Sequence, residues 1–180
     1  MLHNDIEKVL IDEETLHKKV QELAEQISKD YKDTVPFAIT VLKGGVFFAT
    51  DILRRLSIPA QMDFMVLSSY GDSTESSGKV KIVTDLSKNI EGRDVLILED
   101  IVDSGISLNF LKDLLLQRKP KSVKICTILN KPARRKTEVD LDYCGFEVPD
   151  EFLVGYGLDY AEKYRNLPYV GVLKREIYEK

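Results

Sequence analysis

VLILEDIVDSGISL, residues Val95–Leu108, is the stretch of sequence that decides the fold. It opens with four apolar residues, which predict the core of a buried strand, and two adjacent carboxylates follow at Glu99 and Asp100. A short loop of hydroxyl residues and glycine then leads into a segment that favours a helix from about Gly105 to Arg118. Because ligands of open α/β sheets bind beyond the carboxyl ends of the strands, this loop lies where a ligand is expected.

The loop after this strand has the composition of an anion-binding site. Its backbone N–H groups can point at an anion from the helix N-terminus, glycine allows close approach, and two serine hydroxyls can donate further hydrogen bonds. A monophosphate fits this small cradle, and ionised carboxylates suit the two hydroxyls of a ribose. An isolated Asp-Ser-Gly is more often an ordinary helix cap, but here the strand, the acid pair and the loop occur in order. The residues predicted to hold a ribose phosphate are Glu99, Asp100, Asp103, Ser104, Gly105, Ile106 and Ser107.

The remainder of the first 131 residues alternates strand and helix patterns. The sequence contains neither of two other phosphate-binding motifs, GxxxxGKS/T and GxGxxG. Strand and helix at this spacing predict an α/β fold with a mainly parallel, twisted sheet flanked by helices. The predicted strands are 36–42, 62–67, 79–83, 95–98 and 122–129, and the predicted helices are 12–31, 46–56 and 105–118.

After Lys131 the pattern changes to short strand candidates without helical periodicity, near 141–143, 152–155 and 169–173. We interpret this tail, together with Met1–Ile11, as a small hood that folds back over the edge of the sheet. The chain of 180 residues is therefore expected to be one domain, with a core at about 12–135 and a hood at about 1–11 and 136–180.

Composition argues against several classes of protein. The net charge of −4 argues against a sequence-independent nucleic-acid binder, and no apolar run approaches the roughly 20 residues that span a bilayer. The first twelve residues lack the plan of a signal peptide, and neither Cys126 nor Cys144 belongs to a CxxC pair. We expect a cytoplasmic protein that binds neither nucleic acid nor membrane, with two ordinary buried thiols.

The stretch Val95–Leu108 resembles the phosphoribosyl-pyrophosphate signature of type I phosphoribosyltransferases. Other blocks in the matching order narrow the resemblance to the hypoxanthine-guanine phosphoribosyltransferase family, and they cover nearly the whole chain. One departure is serine at Ser104 and Ser107, where the family usually has threonine; the hydroxyl is kept and only the stiffness of the loop changes. The blocks are Leu42-Lys43-Gly44-Gly45, Ser68-Ser69-Tyr70-Gly71, Lys131 and Phe152–Arg165 (FLVGYGLDYAEKYR).

The resemblance implies a reaction. A 6-oxopurine, hypoxanthine or guanine, displaces pyrophosphate from phosphoribosyl pyrophosphate and gives IMP or GMP, with Mg²⁺ required. It also implies the type I phosphoribosyltransferase fold and a homodimer or homotetramer. A cis peptide between Leu42 and Lys43 and a mobile loop at Ser68–Asp85 that closes over the site are further implications.

The resemblance also assigns roles to single residues. Asp103 is the implied general base at purine N7, and Lys131 the implied donor to the 6-oxo group, since an ammonium offers donors only. The rest of the basic cluster 131–136 is expected to be a solvated surface. The implied pyrophosphate ligands are Lys43, Gly44, Ser69, Tyr70 and Arg165; the implied purine ligands are Lys131, Phe152, Leu153 and Asp159; the implied metal ligands are Glu99, Asp100 and Asp159.

Two other hypotheses about the function stay open at this point. The first is a regulatory protein on the same fold that binds nucleotide and nucleic acid without turnover; the chain has no room for a separate DNA-binding domain, which argues against it. The second is another enzyme of the class, such as a xanthine or adenine transferase. Lys131 and the block at Phe152–Asp159 favour 6-oxopurines.

Overall fold

The computed structural model describes residues 2–69 and 80–179, and it has the expected α/β architecture. After a 3-10 turn at Leu2–Asp5, the chain forms nine strands and four helices within those ranges. The helices are α1 (Glu13–Asp30), α2 (Val46–Leu53), α3 (Ile106–Leu116) and α4 (Arg175–Tyr178). The strands are β1 (Ile6–Ile11), β2 (Phe37–Leu42), β3 (Gln61–Ser69), β4 (Val80–Thr84), β5 (Asp94–Val102), β6 (Ser122–Asn130), β7 (Tyr143–Glu147), β8 (Leu153–Val154) and β9 (Val170–Leu173).

The main sheet has six strands in the order β4-β3-β2-β5-β6-β7. All neighbours are parallel except β3 and β4, which are antiparallel. The central strands β2 and β5 are covered on both faces, and this explains why their sequences are nearly continuous apolar runs. The prediction of a mainly parallel sheet flanked by helices is confirmed.

Side chains of β5 alternate between two hydrophobic clusters on opposite faces of the sheet. Leu96 and Leu98 pack with α1 and α2, whereas Val95 and Ile97 pack with α3.

Helix α1 begins at the predicted cap, where a carboxylate oxygen of Asp12 accepts a hydrogen bond of 2.7 Å from the Thr15 N–H. Its predicted apolar face is buried throughout, at Leu16, Val20, Leu23, Ala24 and Ile27.

The two ends of the chain meet in a second, three-stranded sheet in the order β1-β9-β8. The segment Met1–Ile11 was assigned to the hood without a predicted strand; Ile6–Ile11 forms β1 and pairs antiparallel with β9. Strand β7 lies in the range 136–180 that we assigned to the hood, but it pairs in parallel with β6 and so belongs to the main sheet. We propose the same division into core and hood with β7 assigned to the core.

The expectation of two buried thiols is confirmed at one cysteine and wrong at the other. Cys126 is buried as expected, but Cys144 is exposed, and both thiols are free.

In the described part of the chain, no helix is long and apolar enough to cross a membrane.

Candidate active site

Two cavities open side by side at the carboxyl ends of β2, β5 and β6. The smaller, about 270 Å³, is formed by the end of β5 and the start of α3, with Ser68 and Val80 beside it. The larger, about 630 Å³, lies between the main sheet and the hood. The smaller cavity collects the predicted residues Glu99, Asp103, Ser104, Gly105 and Ser107, and the larger collects Gly44, Asp100, Asp103, Lys131, Phe152, Leu153, Asp159 and Arg165.

The predicted phosphate cradle is the turn between β5 and α3. Gly105 has φ +82°, a left-handed conformation that residues with a Cβ rarely adopt, and it places the N-terminus of α3 at the smaller cavity. Ile106 lies outside the cavity lining, but it is the first residue of the helix, and its N–H is 3.4 Å from the Ser104 Oγ. The N-terminal amides of α3 thus face the space in which an anion would be bound.

The segment 135–139 braces this cradle from behind. The backbone N–H groups of Lys136 and Thr137 donate to the Ser104 carbonyl at 2.9 and 3.1 Å. A Cβ on Gly105 would stand 3.3 Å from the Arg135 Cδ and 2.9 Å from the Val139 Cγ2. Arg135 is therefore partly buried against the loop, and the prediction that it belongs to a solvated surface is wrong.

Glu99 and Asp100 line different cavities, since successive residues of a strand point to opposite faces. Burial raises the pKa of Glu99 well above its usual range, and the neighbouring Asp100 charge raises it further. The pKa of Asp100 is also raised by burial, although hydrogen bonds and the positive charge of Arg165 partly oppose the increase. Glu99 is therefore the member of the pair that holds a proton more firmly.

Asp103 lies at the junction of the two cavities and contributes to the lining of both. Within the described residues, its Oδ1 atom is buried and accepts no hydrogen bond. A buried polar atom without a partner is costly, so an oxygen in this state is usually reserved for a ligand or a catalytic role. Ile101, which we did not predict as a site residue, also lines both cavities.

Lys131 is a buried lysine, with only 7% of its surface exposed. Its N–H donates to the Val102 carbonyl at 2.9 Å, and its Nζ donates to the Glu151 carbonyl at 2.8 Å. Burial lowers the pKa of Lys131, and the charge of Asp103 partly offsets this effect. The ammonium is held at the wall of the larger cavity with donors left for a ligand.

Phe152 and Leu153 form the hood side of the larger cavity. Leu153 is buried and begins β8, so its backbone is fixed by antiparallel pairing with Val172. Phe152 is only partly buried, and its ring contacts two tyrosine rings, those of Tyr160 and Tyr178. The structure thus brings the predicted aromatic residue to the cavity that also holds Lys131.

Asp159 and Arg165, which also line this cavity, form an ion pair of 2.8 Å. The Nη1 of Arg165 also donates to the Gly157 carbonyl at 2.7 Å, while its Nε is buried without a partner among the described residues. The second carboxylate oxygen of Asp159 accepts a hydrogen bond from the Glu162 N–H at 2.9 Å. Contacts within the protein therefore position both side chains.

The turn at Leu42–Gly45 approaches the larger cavity through Gly44 alone. The Leu42–Lys43 peptide is cis, as the resemblance implied. Lys43 lines neither cavity, and its side chain pairs with Glu162 at 2.8 Å on the surface. If Lys43 binds a ligand in this conformation, it does so through its backbone.

The remaining predicted residues lie at the end of β3. Ser69 is the last residue of that strand and pairs with Val80, whereas Tyr70 and positions 71–79 of the predicted mobile loop lie outside the described residues. Within the loop range predicted at 68–85, residues 80–84 form strand β4.

The donor set fits a magnesium ion that is shared with a substrate. The described residues contain no group of three or more histidine, cysteine or acidic side chains arranged to hold a metal ion. Asp100 and Asp159 nevertheless line the same cavity, and each keeps free oxygen lone pairs. Mg²⁺ prefers one or two carboxylates, waters and substrate phosphates to an all-protein cage.

Comparison with known proteins assigns the class and then the family. The model of the phosphoribosyl transferase domain matches residues 10–161, which include the cradle and Lys131, so the fold and site define a phosphoribosyltransferase. The hypoxanthine-guanine phosphoribosyltransferase of Bacillus subtilis is 56% identical, with 99% of both chains covered. That of Streptococcus thermophilus is 51% identical over the full length of both. The chain belongs to the hypoxanthine-guanine phosphoribosyltransferase family.

A solved structure supports the same assignment. The crystal structure of a hypoxanthine phosphoribosyltransferase from Staphylococcus aureus superposes with a TM-score of 0.96 at 46% identity, covering 99% of this chain and 97% of that one. The family prediction made from the sequence blocks is confirmed.

Proposed function

We propose that the protein is a purine salvage enzyme that transfers the 5-phosphoribosyl group of phosphoribosyl pyrophosphate to hypoxanthine or guanine. The products are IMP or GMP and pyrophosphate. The observation that carries the proposal is the position of Asp103, whose unpartnered buried oxygen lies between a phosphate cradle and a base-sized cavity. A group placed there would meet the imidazole edge of the base, which carries N7, close to the sugar.

The sugar phosphate occupies the smaller cavity in this proposal. Its phosphate accepts hydrogen bonds from the Ser104–Ser107 loop, and its hydroxyls meet Glu99 and, from the other side of the strand, Asp100. The purine occupies the larger cavity and rests on Phe152, with its edge at the Leu153 backbone. The Lys131 ammonium donates a hydrogen bond to the 6-oxo group. A 6-amino group could not accept this hydrogen bond.

Transfer passes through a state in which the ribose C1 carries positive charge, as in glycoside chemistry. Pyrophosphate leaves as the purine nitrogen attacks, and Asp103 accepts the proton from N7 as the base loses electron density. Arg165 and the Gly44 backbone lie on the side of the leaving group, where a guanidinium fork suits phosphate oxygens. We place Ser69, Tyr70 and the Lys43 backbone at the same group by resemblance.

Magnesium is part of this proposal. Asp100 and Asp159 are the residues of the larger cavity that would hold it, and we assign Glu99 to the metal site by resemblance only. When bound, the ion neutralises charge on the departing pyrophosphate. Arg165 competes with the ion for Asp159 and also positions that carboxylate.

We propose that the protein acts in the cytoplasm as a homodimer or homotetramer, as its family resemblance implies.

A turnover assay tests the proposed function. Purified protein is mixed with phosphoribosyl pyrophosphate, Mg²⁺ and hypoxanthine, guanine, xanthine or adenine in turn, and nucleotide formation is followed. We expect turnover with hypoxanthine and guanine and very little with adenine. Turnover with none of the four bases would overturn the enzyme assignment and favour a regulatory protein on the same fold.

A further inference from the structure

We propose that Tyr178, near the C-terminus, is a positioning residue for the purine: its ring stacks on Phe152 and fixes the orientation of the surface that carries the base. The inference rests on the proposed function, which places the purine on Phe152. The two ring centroids are 4.6 Å apart and the ring planes differ by 23°, which is a stacked pair. Tyr160 contacts the same Phe152 ring at 5.5 Å and at 90°.

Tyr178 belongs to the larger cavity as well as to the stack. It lines that cavity together with Phe152, Lys131 and Asp103, and it does not line the smaller one. Phe152 itself is only partly buried, so core packing alone does not fix its ring. The stacked and edge contacts of two tyrosines therefore restrict the rotation of Phe152 about its side-chain bonds.

The position of Tyr178 is in turn fixed by the hood. Helix α4 follows the buried strand β9 directly, and the Lys174 N–H donates to the Asp5 carbonyl at 3.0 Å. Ile177 and Tyr178 pack against the small cluster that contains Val154 and Leu173. The C-terminal segment thus connects the two chain ends to the purine side of the site.

A positioned ring binds its ligand more tightly than a free one, because less side-chain entropy is lost on binding. Without Tyr178, Phe152 must be ordered when the purine binds, and this is expected to weaken purine binding by roughly three- to tenfold. The sugar-phosphate cradle is formed by β5 and α3 and contains no residue of α4, so its affinity should not change.

The test compares Tyr178→Ala and Tyr178→Phe with Glu176→Ala, a change at an exposed residue of the same helix. KM for hypoxanthine and for phosphoribosyl pyrophosphate are each measured with the other substrate saturating. Tyr178→Ala should raise KM for hypoxanthine roughly three- to tenfold and leave kcat and the other KM near wild type. Tyr178→Phe keeps the ring and should behave as wild type, as should Glu176→Ala.

An unchanged or lowered KM for hypoxanthine in Tyr178→Ala would overturn the inference, and so would equal increases of both KM values. Tyr178→Leu, which keeps apolar bulk without a ring face, gives the same comparison if the alanine variant does not fold. Calorimetric Kd values for GMP provide a readout independent of turnover, with the same order expected. A wild-type protein that binds GMP without turnover would overturn the proposed function and leave the Tyr178 comparison intact.

Discussion

Replacing Gly105 by alanine tests the phosphate cradle, and Gly92→Ala is its matched control. Both glycines have positive φ angles, +82° and +69°, so each alanine costs about 1–2 kcal/mol in backbone strain. A Cβ on Gly92 meets nothing within 4 Å, whereas one on Gly105 overlaps the Thr137 carbonyl oxygen and stands 2.9 Å from the Val139 Cγ2. Overpacking of this kind adds about 1–3 kcal/mol, for a total of about 2–5 kcal/mol at Gly105.

Urea denaturation and steady-state kinetics measure the two effects separately. Gly92→Ala should lose about 1–2 kcal/mol of unfolding free energy with no change in KM for phosphoribosyl pyrophosphate. Gly105→Ala should lose more, and because its loop must move away from segment 135–139, KM should rise about tenfold or more, the equivalent of one charge-assisted hydrogen bond. Equal stability losses and an unchanged KM in both variants would refute the reasoning.

Three further substitutions test the roles of Asp103, Lys131 and Glu99. Asp103→Asn keeps the shape but cannot take a proton, so kcat should fall by about 10²–10⁴ with KM for phosphoribosyl pyrophosphate little changed; full activity would remove Asp103 as the base. Lys131→Met removes the donor to the 6-oxo group, and KM for hypoxanthine should rise roughly tenfold or more, whereas an unaltered KM would show that Lys131 does not contact the base. Because the pKa of Glu99 is raised in the folded state, the wild type should lose stability as pH increases above about 4.3, the unfolded value, toward the raised folded pKa. Glu99→Gln should show a smaller loss in denaturation curves at several pH values, with the part due to Asp100 remaining, and should bind phosphoribosyl pyrophosphate more weakly; an identical pH slope would count against the assignment.

Local sequence was sufficient to predict the elements that depend on local chemistry. Helix α1 follows from its cap and apolar period, and the turn between β5 and α3 follows from four apolar residues, a glycine and two serines in succession. Strand β1 was missed because its mixed sequence IEKVLI has little strand signal of its own, and the strand exists through pairing with β9. Strand β7 was placed in the hood because a five-residue strand at the sheet edge has no pattern that reveals its partner.

The site was predictable where its residues are contiguous and unpredictable where they meet only in three dimensions. The division of Glu99 and Asp100 between two cavities could have been predicted, since β5 continues to Val102 and strand side chains alternate. We predicted that this strand ends at Leu98, and therefore did not predict that the two acids line different cavities. The packing of Arg135 behind the cradle and of Tyr178 on Phe152 joins distant segments, and no local pattern encodes either contact.

The central claim is that a ribose phosphate binds where β5 ends and α3 begins. A crystal structure of the protein with GMP tests it most directly. The account predicts the phosphate within hydrogen-bonding distance of the Ser104–Ser107 amides, and the guanine between Phe152 and Lys131 with N7 facing the Asp103 Oδ1. A nucleotide bound elsewhere, or one whose phosphate contacts none of those amides, would contradict it.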